Sequence, residues 1–413
     1  MNMIIFRRGE NMLQIILFLF MGLLFLISLL FELFLTIRCM VLKRKGKDRG
    51  KLHKKMKSSL IISLTLFICI FAGGILSQLS AYTPKIKDSQ GNAVQGSIAE
   101  LRKVELNGRE EWISIRGNSL NNPILLFLAG GPGGSQIAAV RYNLEELEKN
   151  FIVVNWDQPG SGKSYNAIDA EDISIDTYIE DGEALTTYLC SEFGKEKIFM
   201  VGESWGSALG VFLAKNDPQN YYAFIGTGQM VDFLETEKID YNLAIELANK
   251  NNDNKKVEKL INNGEPPYYG SELLGKSTEY LNYLGSYMIH NEKIHNAGYQ
   301  TLRDISASEY GMLDKINYLR GLMDVFGTFY PKLYNVDLRK QYSEIDVPVY
   351  FFQGRHDINA PAKLVQEYYD TLKAPSKDLI WFEHSGHSPW INENELFIEN
   401  LLKIRNQYAS DYK

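Results

Sequence analysis

The sequence predicts an α/β protein: a mostly parallel β-sheet flanked by helices, interrupted by a helical insertion and preceded by two membrane-spanning helices. Three observations predict it. Short apolar runs of the kind buried on both faces of a parallel sheet alternate with helical stretches between Ser97 and Gln407. That alternation lapses between Asp232 and Tyr342, where Tyr, Asn, Glu and Lys dominate and no buried strand can be read. Ahead of everything lie two long apolar segments, Met12–Ile37 and Ser58–Leu79, each sufficient to span a bilayer core of about 30 Å.

The order of elements follows from local chemistry. Between the apolar segments, Arg38 to Lys57 reads as a loop with ten Lys/Arg and the single acid Asp48. A short loop this basic is retained in the cytoplasm and suits anionic lipid headgroups, so the chain after about residue 80 is expected on the extracytoplasmic side. A cleaved signal is the competing reading, since small residues stand at Ser80 and Ala81. The length of the apolar run and Leu79 at the outer small-residue position favour a retained anchor. Residues 82–97 read as a polar linker. Strands follow at SIAELRKVEL and EEWISIRG, joined by a turn at Asn107-Gly108, then at PILLFLAGG and FIVVNWDQ. A helix over Ile175–Phe193 leads to KIFMVGES, and a further helix and YYAFIGTG follow. Beyond the insertion come VPVYFFQG, a helix over Ala362–Leu372, DLIWFEHSG and a last helix over Glu393–Gln407. The expected organisation is therefore an anchor over 1–81, a linker over 82–97, a core over 98–231 and 343–413, and a helical cap over 232–342.

Charge and cysteine use narrow the function. The first 57 residues carry twelve Lys/Arg and three Asp/Glu, a net of +9; the whole chain is −6, leaving −15 for the rest. So acidic a domain repels phosphate backbones, and no nucleic-acid partner is expected. Of the three cysteines only Cys190 lies beyond the anchor, so no disulfide can form within the outer domain. The few Cys and His show no zinc-ligand spacing, and no cofactor or metal is implied. Oligomeric state is not encoded in any pattern found here.

One stretch carries chemistry. In VGESWGSALG, Ser204 lies between Gly202 and Gly206. A G-x-S-x-G arises by chance in roughly one chain of this length in six, so context decides. An apolar strand precedes it and a helix follows, which is what a nucleophile elbow requires: a strained turn exposing the hydroxyl at a helix N-terminus. Of six histidines, His53 lies in the basic loop and His290 and His295 in the insertion. His384 comes directly off a strand and, like His356, reads as structural. His387, in the loop SGHSPW, can reach over the sheet edge as base. Asp357 ends the turn after VPVYFF and is the candidate acid; Asp346 and Asp370 fit less well. The chain order Ser204, Asp357, His387 matches this type of site. The backbone N–H groups of Gly131, in LAGGPGG, and of Trp205 are the candidate oxyanion donors. DQPGSGKS imitates a phosphate-binding loop, but Asp157 stands where that loop needs its first glycine.

Taken in order, AGGPGG, DQPGSGKS, GESWGS, GRHD and SGHSPW resemble the motif set of the proline iminopeptidase family of α/β-hydrolases, over roughly residues 98–405. The resemblance implies an α/β-hydrolase fold, with Ser204 as nucleophile, Asp357 as acid, His387 as base and AGGPGG as oxyanion loop. Two positions depart from the family: Ala129 stands where the loop usually begins with histidine, and Pro159 where arginine is common. The family's cap glutamates, which bind a substrate's free amino terminus, find no matching motif. The expected activity is membrane-anchored aminopeptidase action on short peptides through an acyl-enzyme. An esterase acting on ester or lipid-derived substrates is the alternative, and a non-catalytic binding protein on the same fold the third reading.

Overall fold

The computed structural model describes the backbone of residues 2–296 and 298–409, and side chains from Met12 onward. They form two compact units, Met1–Tyr82 with Ile305–Lys315 and Thr83–Asp304 with Ile316–Lys413.

The first unit contains α1 (Asn2–Arg44) and α2 (Gly50–Leu79), both long and apolar enough to cross a membrane by length and composition. They pack antiparallel: Ser63 Oγ donates to Glu32 Oε1 at 2.8 Å and lies 2.9 Å from Ser28 Oγ, while Leu35, Cys39 and Leu52 cluster toward the turn. The predicted loop Arg38–Lys57 is corrected here. Most of it is helical, because Lys and Arg are good helix formers; the break narrows to about Lys45–Arg49, where Gly46 at φ 62° ends α1. A second difference concerns Ile305–Lys315, which sequence reading assigned to the insertion. In this unit Asp314 accepts from Gln78 Nε2 at 2.6 Å, and Ser77 Oγ accepts from the Met312 N–H at 3.1 Å.

In the second unit, eight strands form one sheet: β1 (Ile98–Leu106), β2 (Arg109–Gly117), β3 (Ile124–Leu128), β4 (Ile152–Asp157), β5 (Ile198–Glu203), β6 (Tyr221–Thr227), β7 (Val349–Gly354) and β8 (Lys377–Phe382). Their order is β1-β2-β4-β3-β5-β6-β7-β8, parallel from β4 to β8. The β1–β2 hairpin turns on Asn107 and Gly108, both at positive φ, and adds the antiparallel edge. Alternate residues feed two apolar cores. Leu126, Met200, Phe224 and Phe351 enter one, and Phe127, Val201, Ile225 and Phe352 the other. That two-sided burial is why these strands read as continuous apolar runs.

Helices α3 (Ile137–Leu144), α4 (Ile175–Phe193), α5 (Trp205–Asn216), α12 (Ala362–Thr371), α13 (Pro389–Asn392) and α14 (Asn394–Tyr408) belong to the core connections. Between β6 and β7 the chain runs through α6 (Phe233–Lys250), α7 (Asn254–Asn263), α8 (Ser271–Ile289), α9 (Thr301–Ile305), α10 (Met312–Phe329) and α11 (Leu338–Gln341). The two ends of this insertion meet: Asp232 and Asp337 form a β-bridge, and Arg339 joins Asp232, Glu235 and Asp337 to Glu367 of α12 at 2.6–3.0 Å.

Candidate active site

Ser204 occupies the single residue between β5 and α5, at φ 53° and ψ −121°. A non-glycine residue held there is strained, and the strain is fixed from both sides. Its N–H donates to Thr227 O at 3.0 Å, and its carbonyl accepts from the N–H and Oγ of Ser207. The flanking glycines are steric necessities. A Cβ on Gly202 would stand 2.2 Å from the Gly206 carbonyl oxygen, and one on Gly206 2.2 Å from that of Leu128.

Asp357 lies just past β7, 4% exposed. The N–H groups of Asn359 and Ala360 donate to its Oδ1 at 3.0 Å, and Gln353 Nε2 to its Oδ2 at 2.9 Å. His387 Nδ1 lies 3.1 Å from both carboxylate oxygens. Burial alone would lower the imidazole pKa, but the charge and hydrogen bond of Asp357, aided by the charge of Glu203, outweigh it and raise the group to about 9. The ring lies against β6's end: a Cβ on Gly228 would meet His387 Nδ1 and Cε1 at 3.0 Å. The Thr227 carbonyl next to Gly228 holds the Ser204 N–H, so the serine turn and the His387 ring both lie against the end of β6, with Asp357 bonded to that ring from the end of β7.

Three of the alternative candidates have other neighbours. His384 stacks on His295 with ring centroids 4.1 Å apart, and its N–H donates to Glu393. Burial lowers the pKa of His356, whose N–H donates to Ser385 O. Asp370 accepts from Gln366 within α12.

The glycine-rich loop after β3 approaches the nucleophile turn closely. A Cβ on Gly130 would lie 3.2 Å from Ser204 Cβ, and Gly131 adopts φ 138°. Among the described residues, no turn or loop hydrogen bond uses the N–H of Gly131 or Trp205. An N–H pair left unspent beside a serine can serve a developing oxyanion. Asp157 accepts from the Lys163 N–H at 2.7 Å and from Ser135 Oγ, so the imitation phosphate loop is folded around a carboxylate.

Sequence reading missed two features. Glu203, passed over as a letter in GESWGS, is 1% exposed, and its carboxylate accepts from Ser388 Oγ, Trp390 Nε1, Gln136 Nε2 and Tyr299 OH. A charged letter closing an apolar strand was the available signal. On α6, Glu237 accepts from Tyr280 and Tyr330, and Asp240, 1% exposed, leaves Oδ1 without a partner. Burial, then the charges of Glu237 and Asp357, push the Asp240 carboxyl well up. Of the insertion's other glutamates, Glu235, Glu272 and Glu279 are ion-paired, Glu246, Glu258, Glu265 and Glu292 are exposed, and Glu309 is buried within the first unit. The spacing Glu237/Asp240, i and i+3, was legible as one helix face; its burial was not.

Fold and site geometry together define an α/β-hydrolase. A family profile described as "alpha/beta hydrolase fold" matches residues 123–258. "Probable aminopeptidase YbaC" of Bacillus subtilis (strain 168) is 31% identical over 312 residues, covering 74% of this chain and 96% of that one. The proline iminopeptidase of Heyndrickxia coagulans is 25% identical over 293 residues, 70% of this chain and 93% of the relative. The crystal structure of a proline iminopeptidase from Mycobacterium smegmatis shares the fold at TM-score 0.56 and 19% identity, over 76% of this chain and 100% of that one. The chain belongs to the α/β-hydrolase family of enzymes and is similar within it to the proline iminopeptidases.

Proposed function

We propose that this protein is a membrane-anchored serine aminopeptidase of the proline iminopeptidase type, acting on short peptides. The reading is supported by a strained Ser204 on its turn and by an Asp357–His387 pair, each set against the end of β6. Ser204 Oγ attacks the scissile carbonyl while His387 Nε2 takes its proton, and Asp357 holds the ring by Nδ1. The N–H groups of Gly131 and Trp205 bind the oxyanion. Collapse of the tetrahedral species breaks the C–N bond, and His387 returns the proton to the leaving amine. Water, deprotonated by the same imidazole, then releases the acyl group and restores Ser204.

The site assigned to the substrate's ammonium is the Glu237–Asp240 face of α6. The relatives' names, aminopeptidase and proline iminopeptidase, support a substrate with a free amino terminus, and a buried acid with an unused oxygen supports this face as its site. A free α-amine ionises Asp240 and pairs with it; an acetylated one cannot. The expected preference for a free over an acetylated aminoacyl-amide reporter is on the order of 100-fold in kcat/KM, from a charge-assisted hydrogen bond in a partly dry site. Asp240→Asn should shrink that ratio chiefly through KM. Equal kcat/KM for the two reporters would remove the aminopeptidase reading in favour of an esterase.

The anchor assignment rests on α1 and α2 and on the basic residues around their turn. The turn is cytoplasmic and the catalytic unit outside. In a background lacking Cys39, Cys69 and Cys190, Lys47→Cys should resist a membrane-impermeant thiol reagent in intact cells while the exposed Glu258→Cys reacts. Labelling at Lys47→Cys would invert the topology.

A further inference from the structure

We propose that Glu203 is a positioning residue for the catalytic base: one buried carboxylate fastens the His387 loop, the start of α3 behind the oxyanion loop and the insertion to the turn that carries Ser204. The inference rests on the Ser204–His387–Asp357 reading above.

The geometry is four-sided. Oε1 accepts from Ser388 Oγ at 2.6 Å and Trp390 Nε1 at 2.8 Å; Oε2 accepts from Gln136 Nε2 and Tyr299 OH. Ser388 is the residue after His387, so its bond acts directly on the backbone that presents the imidazole. Gln136 is the N-cap residue of α3, five positions beyond Gly131 in the segment leaving the glycine-rich loop. Tyr299 comes from the stretch between α8 and α9, and its ring packs edge-on against Trp390 at 5.6 Å, which packs likewise against Phe127 at 5.3 Å. Among the described residues, no Lys or Arg bonds to this carboxylate. Neutral donors alone hold it, as a buried charge without a counter-ion requires.

Only an ionised carboxylate suits four donors at once. A glutamine would turn an NH2 group toward two of them, leaving buried donors facing a donor. The arrangement places the carboxylate one residue from Ser204 and in electrostatic reach of His387. The titratable groups around the pair are Asp357 from the β7 loop, Asp240 of α6 facing Asp357, and Tyr299 and Tyr318 facing Glu203. When His387 accepts the serine proton, the imidazolium is stabilised by Asp357 through a hydrogen bond and by Glu203 through space. Glu203 thus acts in two ways: it holds the loop that aims the ring, and it favours the ring's charged form.

The test compares kcat/KM and kcat against pH for the full-length detergent-solubilised wild type, Glu203→Gln, Ser388→Ala and His387→Ala. In Glu203→Gln the acid limb should move to lower pH by on the order of one unit, since an opposite charge that stabilises the imidazolium is gone. Its plateau kcat should fall at least about tenfold with KM little changed. Ser388→Ala keeps the charge, so its limb should stay in place while kcat falls several-fold. A Glu203→Gln limb superimposed on the wild type overturns the proposal. Should that variant fail to fold, a Ser388→Ala kcat equal to wild type overturns it instead. If His387→Ala retains wild-type turnover, the triad reading itself falls, an outcome separable from both.

Discussion

Ser204→Ala should lower kcat on every substrate by on the order of 10³-fold or more while leaving the melting temperature close to wild type. The size follows from the proposed mechanism, in which no other group can form the acyl-enzyme. The small effect on folding follows from the structure: Ser204 is held by its backbone, through Thr227 O and Ser207, and its side chain takes no part in capping α5. Removing the hydroxyl takes away reactivity and leaves those bonds. A fluorophosphonate probe that labels Ser204→Ala as strongly as the wild type would assign the nucleophile to another residue.

The second large effect belongs to the base. His387→Ala should cost nearly as much as loss of the serine, on the order of 10³-fold in kcat, and Asp357→Asn a comparable amount through loss of ring orientation. His384→Ala should stay within a few-fold of wild type, because that ring stacks on His295, whereas the ring bonded to Asp357 is that of His387. The reverse ranking would show that the base had been misassigned. On the proposed mechanism the same imidazole sets the pH profile. A base must be neutral in the free enzyme, and His387 is raised to about 9, so kcat/KM should climb with pH through an acid limb approaching that value. Asp357→Asn removes the largest raising influence and should drag the limb toward lower pH. The linkage to folding has the opposite slope. The Asp357–His387 attraction stabilises the native state fully below the ordinary histidine value of 6.5, and that contribution is lost as pH rises through about 9.

Much of the core was legible because its determinants are local. The helix expected over Ile175–Phe193 has those bounds in the structure: Ser174 and Thr177 exchange the hydrogen bonds of a capping box, and Gly194 ends the helix at φ 60°. The hairpin turn at Asn107-Gly108 was equally local, since two consecutive positive φ values favour that dipeptide. What could not be read was long-range. Glu203 meets Gln136, Tyr299, Ser388 and Trp390 from segments 67 to 187 positions away, and nothing near Glu203 in sequence announces them. Burial of Asp240 depends on how α6 packs beside Asp357, which a helical pattern alone does not specify. The extent of the basic loop was misjudged because charge composition signals membrane sidedness, whereas helix continuity depends on backbone propensity, which Lys and Arg supply well.

The clasp at Asp232, Asp337 and Arg339 has an evolutionary consequence. Because the chain leaves the sheet and returns to it at one bridged point, the closure entropy of everything between is met by those few bonds, and it changes only slowly with length. The sheet, the serine turn and the acid–base pair therefore place little constraint on how long the intervening segment is. A lineage that exchanges that segment can alter what the enzyme accepts, provided the newcomer again supplies Glu203 with the donor that Tyr299 gives it.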